Sequence, residues 1–255
     1  ADKTKISKRK NPVSLNYYRE EGYLKEGLLN FLALMGWSFG ENKEIFTIEE
    51  MIENFSFDKI SLGGPVFDLV KLGWVNNHHM RLKDLDELTK LAIPYFVKAG
   101  YYADENLSDE EFAKLRRIVE ISREGAHTLK ELPEISSIYF EDEFELPVVE
   151  EGMNKKARKS VERLRNSLET EVGKKSIELF VEKINALNEE ISEEEAKEIL
   201  HGLQDELGEG PAAVLMPLRA VVTGKARGAD LYTVIAIIGK ERTLKRVQNT
   251  LEKIK

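Results

Sequence analysis

No cysteine occurs in the sequence, so disulfides and thiolate-held metals are excluded, and a reducing compartment fits. No run of 18 apolar residues and no signal-peptide pattern is present, so neither a membrane span nor export is indicated and a cytoplasmic protein is expected. Histidine is scarce: the four are His78, His79, His127 and His201. His78 and His79 are adjacent and cannot share a helix face as metal ligands; they are expected to be polar surface or satisfied capping groups, and no bound metal is expected. A Gly-rich turn after a β-rich run is missing as well, which removes the usual nucleotide-phosphate cradles. No segment of convincing length alternates with period two, so sheet is expected to be minor. There is no fixed internal repeat and no sustained heptad, which disfavours a repeat scaffold and a coiled coil. Positive charge is in deficit, 38 Lys and Arg against 46 Asp and Glu for a net charge of −8, and on that ground alone a nucleic-acid partner is disfavoured.

What is present is helical period. The 255 residues, 42% hydrophobic and 33% charged, describe a soluble globular chain of one large domain or two to three smaller ones. Leu24, Leu28, Leu29, Leu32 and Met35 recur at three- and four-residue steps, with Gly36 as a stop. Thr47-x-x-Glu50, Ser108-x-x-Glu111 and Ser192-x-x-Glu195 are capping-box patterns, each ahead of an apolar run. Asp84 caps a helix bearing Leu85, Leu88 and Leu91, which Pro94 is expected to end or kink. Phe67, Leu69, Leu72 and Trp74 are expected to pack in the core. Ile177, Phe180, Ile184, Leu187 and Ile191 form a narrow seam. Leu244, Val247, Leu251 and Ile254 share one face of the last helix, with Arg242, Lys245 and Arg246 off it.

Charge is segregated along the chain. Residues 131–151 hold eight carboxylates and no Lys or Arg, whereas 155–165 hold six cations. The segment 219–246 holds seven cations (Arg219, Lys225, Arg227, Lys240, Arg242, Lys245, Arg246) against two acids. Because screening acts over roughly 8–10 Å, such faces let an acidic protein meet a polyanion; ordinary solvated helix surfaces give the same pattern.

The first stretch sharpens the choice. Five of the eight residues from Lys3 to Lys10 are cationic, with Thr4 and Ser7 between them, a set suited to polyphosphate. The order Lys5-Ile6-Ser7-Lys8-Arg9 resembles the KMSKS-type loop of class I aminoacyl-tRNA synthetases, in the form typical of glutamyl-tRNA synthetases. That resemblance implies ATP as a substrate, with Mg2+ in the full enzyme. Lys8 would touch the ATP phosphates, and Lys5, Ser7 and Arg9 would complete the mobile loop. The likeness continues to about Met80 through a segment similar to the stem-contact region of bacterial glutamyl-tRNA synthetases. A class I enzyme also needs a nucleotide-binding domain with a His-x-Gly-His-type signature. None of the four histidines stands in that pattern, so this polypeptide alone is expected to be inactive, as the C-terminal part of a glutamate–tRNA ligase.

A second segment, Val214 to Thr233, resembles the anticodon-binding cage of the same family, whose signature runs P-L-R-x-x-[LV]-T-G and closes with L-[FY] and L-G-K-E, here Leu231-Tyr232 and Ile238-Gly-Lys-Glu241. Single-stranded bases are read by splaying them out, stacking them on aromatic or guanidinium planes, and hydrogen-bonding their edges. By the resemblance Arg219 would meet the first anticodon base. Gly228, Ala229, Leu231 and Tyr232 would surround the anticodon, although Leu231 and Tyr232 could equally serve packing. Gly125 falls where glutamate-specific members carry an arginine for the third anticodon base. A glycine there would tolerate tRNA(Gln) beside tRNA(Glu). The alternative is that Gly125 is only a helix C-cap and Arg123 takes the role.

The expectation is therefore a mainly α protein: a KMSKS-type loop and stem-contact helical segment (1–88), then a two-subdomain all-helical anticodon-binding cage (89–150 and 151–255). Its partner would be tRNA(Glu), possibly with tRNA(Gln), and not DNA; a monomer is expected. The alternative is a stand-alone helical RNA- or protein-binding module without catalytic function.

Overall fold

Side-chain caps set where the helices begin. In a computed structural model describing residues 14–61, 63 and 66–254, all three expected capping boxes form, at Thr47, Ser108 and Ser192. Each satisfies backbone donors that a helix start would otherwise leave open. Among the described residues there are twelve α-helices and no strand, so the mainly α expectation holds. They divide into two compact units, one up to Ser137 and one from Ile138. The 89–150 segment thus contributes to both.

The first unit contains α1 (Leu15–Glu20), α2 (Lys25–Leu34), α3 (Ile48–Asn54), α4 (Leu69–Leu82), α5 (Leu85–Lys98), α6 (Asp109–Ser122) and the short α7 (Leu132–Ile135). Helices α2 and α4 approach closely at Gly27: a Cβ there would lie 2.5 Å from Asn76 Oδ1. Asn76 is itself fixed, accepting from the Leu24 amide at 2.8 Å and donating to the His127 carbonyl at 2.7 Å. Its neighbour Asn77 donates to the carbonyls of Arg123 and Ala126 at 2.8 and 2.7 Å. Two consecutive amides of α4 therefore hold the turn that leaves α6, and Gly125 sits in that turn.

Two expectations for this unit are corrected, and one of the two outcomes expected at Pro94 is ruled out. His79 is neither surface nor cap but buried, its Nε2 donating to Asn30 Oδ1 at 2.9 Å. Burial lowers its pKa, so the ring is neutral at pH 7. Trp74 and Leu69 are exposed rather than core: α4 buries Leu72, Val75, Asn76, His79 and Met80, and Trp74 points off that face against the His78 ring at 4.4 Å. Leu72 does join the core, with Phe67 packed on the same Tyr18–Phe31–Val75 cluster. Pro94 does not end its helix, which runs on to Lys98. Pro94 has no N–H to offer the Lys90 carbonyl, so that acceptor lacks its usual helical partner.

The second unit is built from α8 (Lys155–Glu169), α9 (Glu171–Asn185), α10 (Glu193–Leu207), α11 (Pro211–Thr223) and α12 (Leu231–Lys253). Helix α11 lies at its centre, packed by all four others. Ile177, Phe180 and Ile184 form the seam as expected, but α9 stops at Asn185, and Leu187 and Ile191 belong to the connection that follows. That connection meets a kink in α12 at Gly239 (φ 77°, ψ 178°), a conformation reserved for glycine. There the Lys240 amide donates to Glu189 O, and its ammonium to the carbonyls of Asn185 and Leu187.

The last helix departs from its expected face. Thr243, Arg246, Val247 and Thr250 point inward, while Ile254 is exposed. Arg246 is fully buried and donates to the carbonyls of Val222 (3.2 Å), Ile138 (2.7 Å) and Glu141 (2.6 Å). Burial brings its pKa down to about 10, leaving it cationic at neutral pH. Arg242 binds Asp142 at 2.6 Å and the Tyr139 carbonyl at 2.8 Å, and Lys245 reaches Asp142 at 3.1 Å. Four of the seven cations of the 219–246 segment (Lys240, Arg242, Lys245, Arg246) are thus engaged within the fold. Asp142, in the acidic stretch after Ile138, is the counter-ion of Arg242 and Lys245.

Candidate nucleic-acid interface

Between α10, α11 and the start of α12 lies a cavity of about 300 Å³ lined by Lys197, His201, Met216, Arg219, Asp230 and Tyr232 among others. Each wall follows from local sequence. Thr223, buried at the end of α11, accepts from the Lys225 amide and donates to the Arg219 carbonyl at 2.7 Å. Gly224 then turns the chain in the left-handed conformation (φ 62°), and a Cβ there would meet the Phe144 ring at 2.4 Å. These two residues of the V-T-G pattern aim the loop 225–230 back over Arg219. At Gly228 (φ 148°) a Cβ would stand 3.9 Å from Arg219 Nη1, so the loop backbone lies against the guanidinium.

Arg219 is half-buried, and its guanidinium has no hydrogen-bond partner among the described residues. Burial lowers its pKa and the nearby Asp230 carboxylate opposes that effect. Tyr232 donates its hydroxyl to Asp230 Oδ2 at 2.8 Å, and this hydrogen bond raises the phenol pKa. The ring is thereby fixed at the cavity wall, with the Lys197 ammonium 5.8 Å from its centroid. A forked cationic donor, an oriented aromatic ring and a flexible ammonium around one small cavity can hold an unstacked base and a neighbouring phosphate.

Of the residues singled out from sequence, Arg219, Leu231 and Tyr232 line this cavity, and Gly228 abuts Arg219. Leu231 is buried, with only an edge on the cavity. Ala229 is in the same loop, outside the lining. Gly125 belongs to the first unit. It is exposed, its φ is not in the left-handed region, and a Cβ would find only Ser122 O, at 4.0 Å. The C-cap of α6 is Arg123, in right-handed helical geometry, so the glycine is not required there as a cap. Lys5, Ser7, Lys8 and Arg9 lie outside the described residues. Sequence reasoning missed Lys197 and His201. Both sit one turn apart on the polar side of α10, and only their i, i+4 spacing marks them as sharing a face.

Comparison with known proteins agrees with this chemistry. The family model described as anticodon binding domain matches residues 87–251, and that of the class I tRNA synthetase (E and Q) catalytic domain matches residues 1–74. A glutamate–tRNA ligase of Fusobacterium nucleatum is 60% identical over 253 residues, covering 99% of this chain and 50% of that protein. One from Carboxydothermus hydrogenoformans is 40% identical, covering 97% and 48%. The chain spans about half the length of the curated relatives it matches. Among solved structures, a glutamate tRNA ligase from Elizabethkingia meningosepticum superposes with a TM-score of 0.71 at 29% identity, covering 93% of this chain and 43% of that one. No helix among the described residues is long and apolar enough to cross a membrane. The cavity lies within the matched 87–251 span, and by that match the chain belongs to the anticodon binding domain family.

Proposed function

We propose that this chain is the tRNA-recognition part of a glutamate–tRNA ligase, an ATP-dependent aminoacyl-tRNA synthetase working as a monomer in the cytoplasm. The carrying observation is Arg219: a half-buried guanidinium beside a base-sized cavity, with no hydrogen-bond partner of its own among the described residues. Such a group is held in place at the expense of its hydration, and a base edge restores what it lost. Tyr232 offers the stacking plane, with Asp230 and Leu231 beside it in the lining. ATP and Mg2+ belong to the whole enzyme. Lys5, Ser7, Lys8 and Arg9 are the residues of this chain assigned to the ATP phosphates, and no cluster of metal-ligating side chains occurs among the described residues.

The test is binding of an RNA hairpin bearing the glutamate anticodon loop. Arg219→Ala is expected to weaken it by about 1–3 kcal/mol, roughly 5- to 150-fold, while an unrelated loop changes little. Equal weakening of both, or none, rejects the reading. Within it, we assign Gly125 to dual specificity for tRNA(Glu) and tRNA(Gln), because glycine can neither bond the third anticodon base nor obstruct it. The open space around Gly125 makes Gly125→Arg a test of contact rather than of folding. The arginine is expected to reduce binding of the glutamine hairpin about tenfold relative to the glutamate one. An unchanged ratio would count against dual specificity.

A further inference from the structure

With four of the seven cations of the 219–246 segment bound internally, Arg219, Lys225 and Arg227 alone remain there for a polyanion, and further attraction has to come from another part of the second unit. Helix α8 exposes Lys155, Lys156, Arg158, Lys159, Arg163 and Arg165 while Val161, Leu164 and Leu168 face the core. Arg158 meets Glu162 at 3.5 Å and Arg165 reaches the Pro147 carbonyl at 3.3 Å. The other four have no ion-pair or hydrogen-bond partner among the described residues. Their placement works against the free helix. Its first turn contains no acid, where α6 and α10 each place three, so cations crowd the positive end of the helix dipole. Lys155, Lys159 and Arg163 also stack at i, i+4 and repel one another. A row of phosphates relieves both conflicts at once.

We infer that the outer face of α8 is a second RNA-binding surface, a track for the sugar–phosphate backbone that supplies affinity without sequence preference. This rests on the RNA-binding reading above. RNA is favoured over a membrane or a protein because every outward position is charged or amide-bearing. A membrane-surface helix turns an apolar face outward, and a protein interface needs an apolar or aromatic anchor. The α8 apolar face is instead spent on the core. The three stacked cations advance by about 6 Å per step along the helix, a spacing that neighbouring phosphates of one strand can follow.

The experiment is a salt series of hairpin binding to the 255-residue chain, using the glutamate anticodon loop and an unrelated loop. K155Q/K159Q/R163Q is compared with K174Q/K175Q on α9, whose lysines are also exposed. At about 0.7 per phosphate contact, the triple variant is expected to lower the slope of log K against log salt by about 1–2. Both hairpins should then weaken by the same factor, about tenfold to a hundredfold at 0.1 M salt. The α9 variant should change little in binding or melting, and the triple variant should melt no lower than wild type, because the replaced cations repel one another in the free helix. An unchanged slope in the triple variant overturns the inference while leaving the anticodon reading intact, and so does an equal fall in the α9 variant. Weakening of the glutamate hairpin alone overturns it too, since a backbone track cannot discriminate loops. If the wild-type chain binds neither hairpin, the anticodon reading fails and this inference with it.

Discussion

Arg246→Met tests whether a buried cation holds the second unit together. The substitution keeps an apolar side chain of similar reach but removes every donor. It leaves the carbonyls of Ile138, Glu141 and Val222 without the partner that bonds them at 2.7, 2.6 and 3.2 Å. A buried acceptor left unsatisfied costs about 1–3 kcal/mol. The two short bonds carry most of that, and relief of the guanidinium's desolvation offsets part of it. A net loss of about 3–4 kcal/mol follows, which for a unit of this size lowers its melting temperature by about 10–15 °C. Arg246→Lys should recover about half, because one ammonium cannot span three carbonyls. Urea titration followed by far-ultraviolet circular dichroism measures both, with an unchanged m-value marking a true stability change. A loss below about 1 kcal/mol for Met, or wild-type stability for Lys, refutes the reasoning.

Gly27→Ala must push α2 from α4, since its Cβ would lie 2.5 Å from Asn76 Oδ1 and 2.9 Å from Asn76 Cα; a loss of about 1–3 kcal/mol is expected by thermal melting, and an unshifted transition contradicts the close approach. Burial alone would raise the Asp142 pKa, but hydrogen bonds from Arg242 and Lys245 hold it below the usual carboxylate value. With the folded pKa lower than the unfolded one, its stabilisation is present above about pH 4 and is lost as pH falls through the depressed folded value. Urea midpoints across that range should therefore fall more steeply for wild type than for Asp142→Asn, and parallel curves refute the assignment. Lys197→Ala and His201→Ala, both at exposed positions, should weaken the glutamate hairpin about three- to tenfold with no change in melting. A shifted melting temperature would mean a packing role instead.

Local order was legible in the sequence because its causes are local. Thr47, Ser108 and Ser192 reach only three residues ahead, so their capping boxes could be read directly and all form. The helical period of α2, α9 and α10 follows from spacing alone, and so does the run of cations on α8. Most of the candidate site was visible too, since Arg219, Gly228, Leu231 and Tyr232 lie within one short segment of recognisable pattern. The spacing that marks a face, however, does not say what covers it. Lys245 and Arg246 are neighbours of like charge, yet one is exposed and the other wholly buried. What separates them is the carbonyls of Ile138 and Glu141, more than a hundred residues away in sequence. His79 became a core residue because Asn30 offers it an oxygen, and Trp74 left the core because α4 turns its other side to α2. Lys197 and His201 join the cavity only because α10 lies across α11. The sequence alone determined the helices and the chemistry they carry; tertiary packing decided which cations are bound inside and which remain for a partner, because a buried charge depends on acceptors that distant chain segments bring to it.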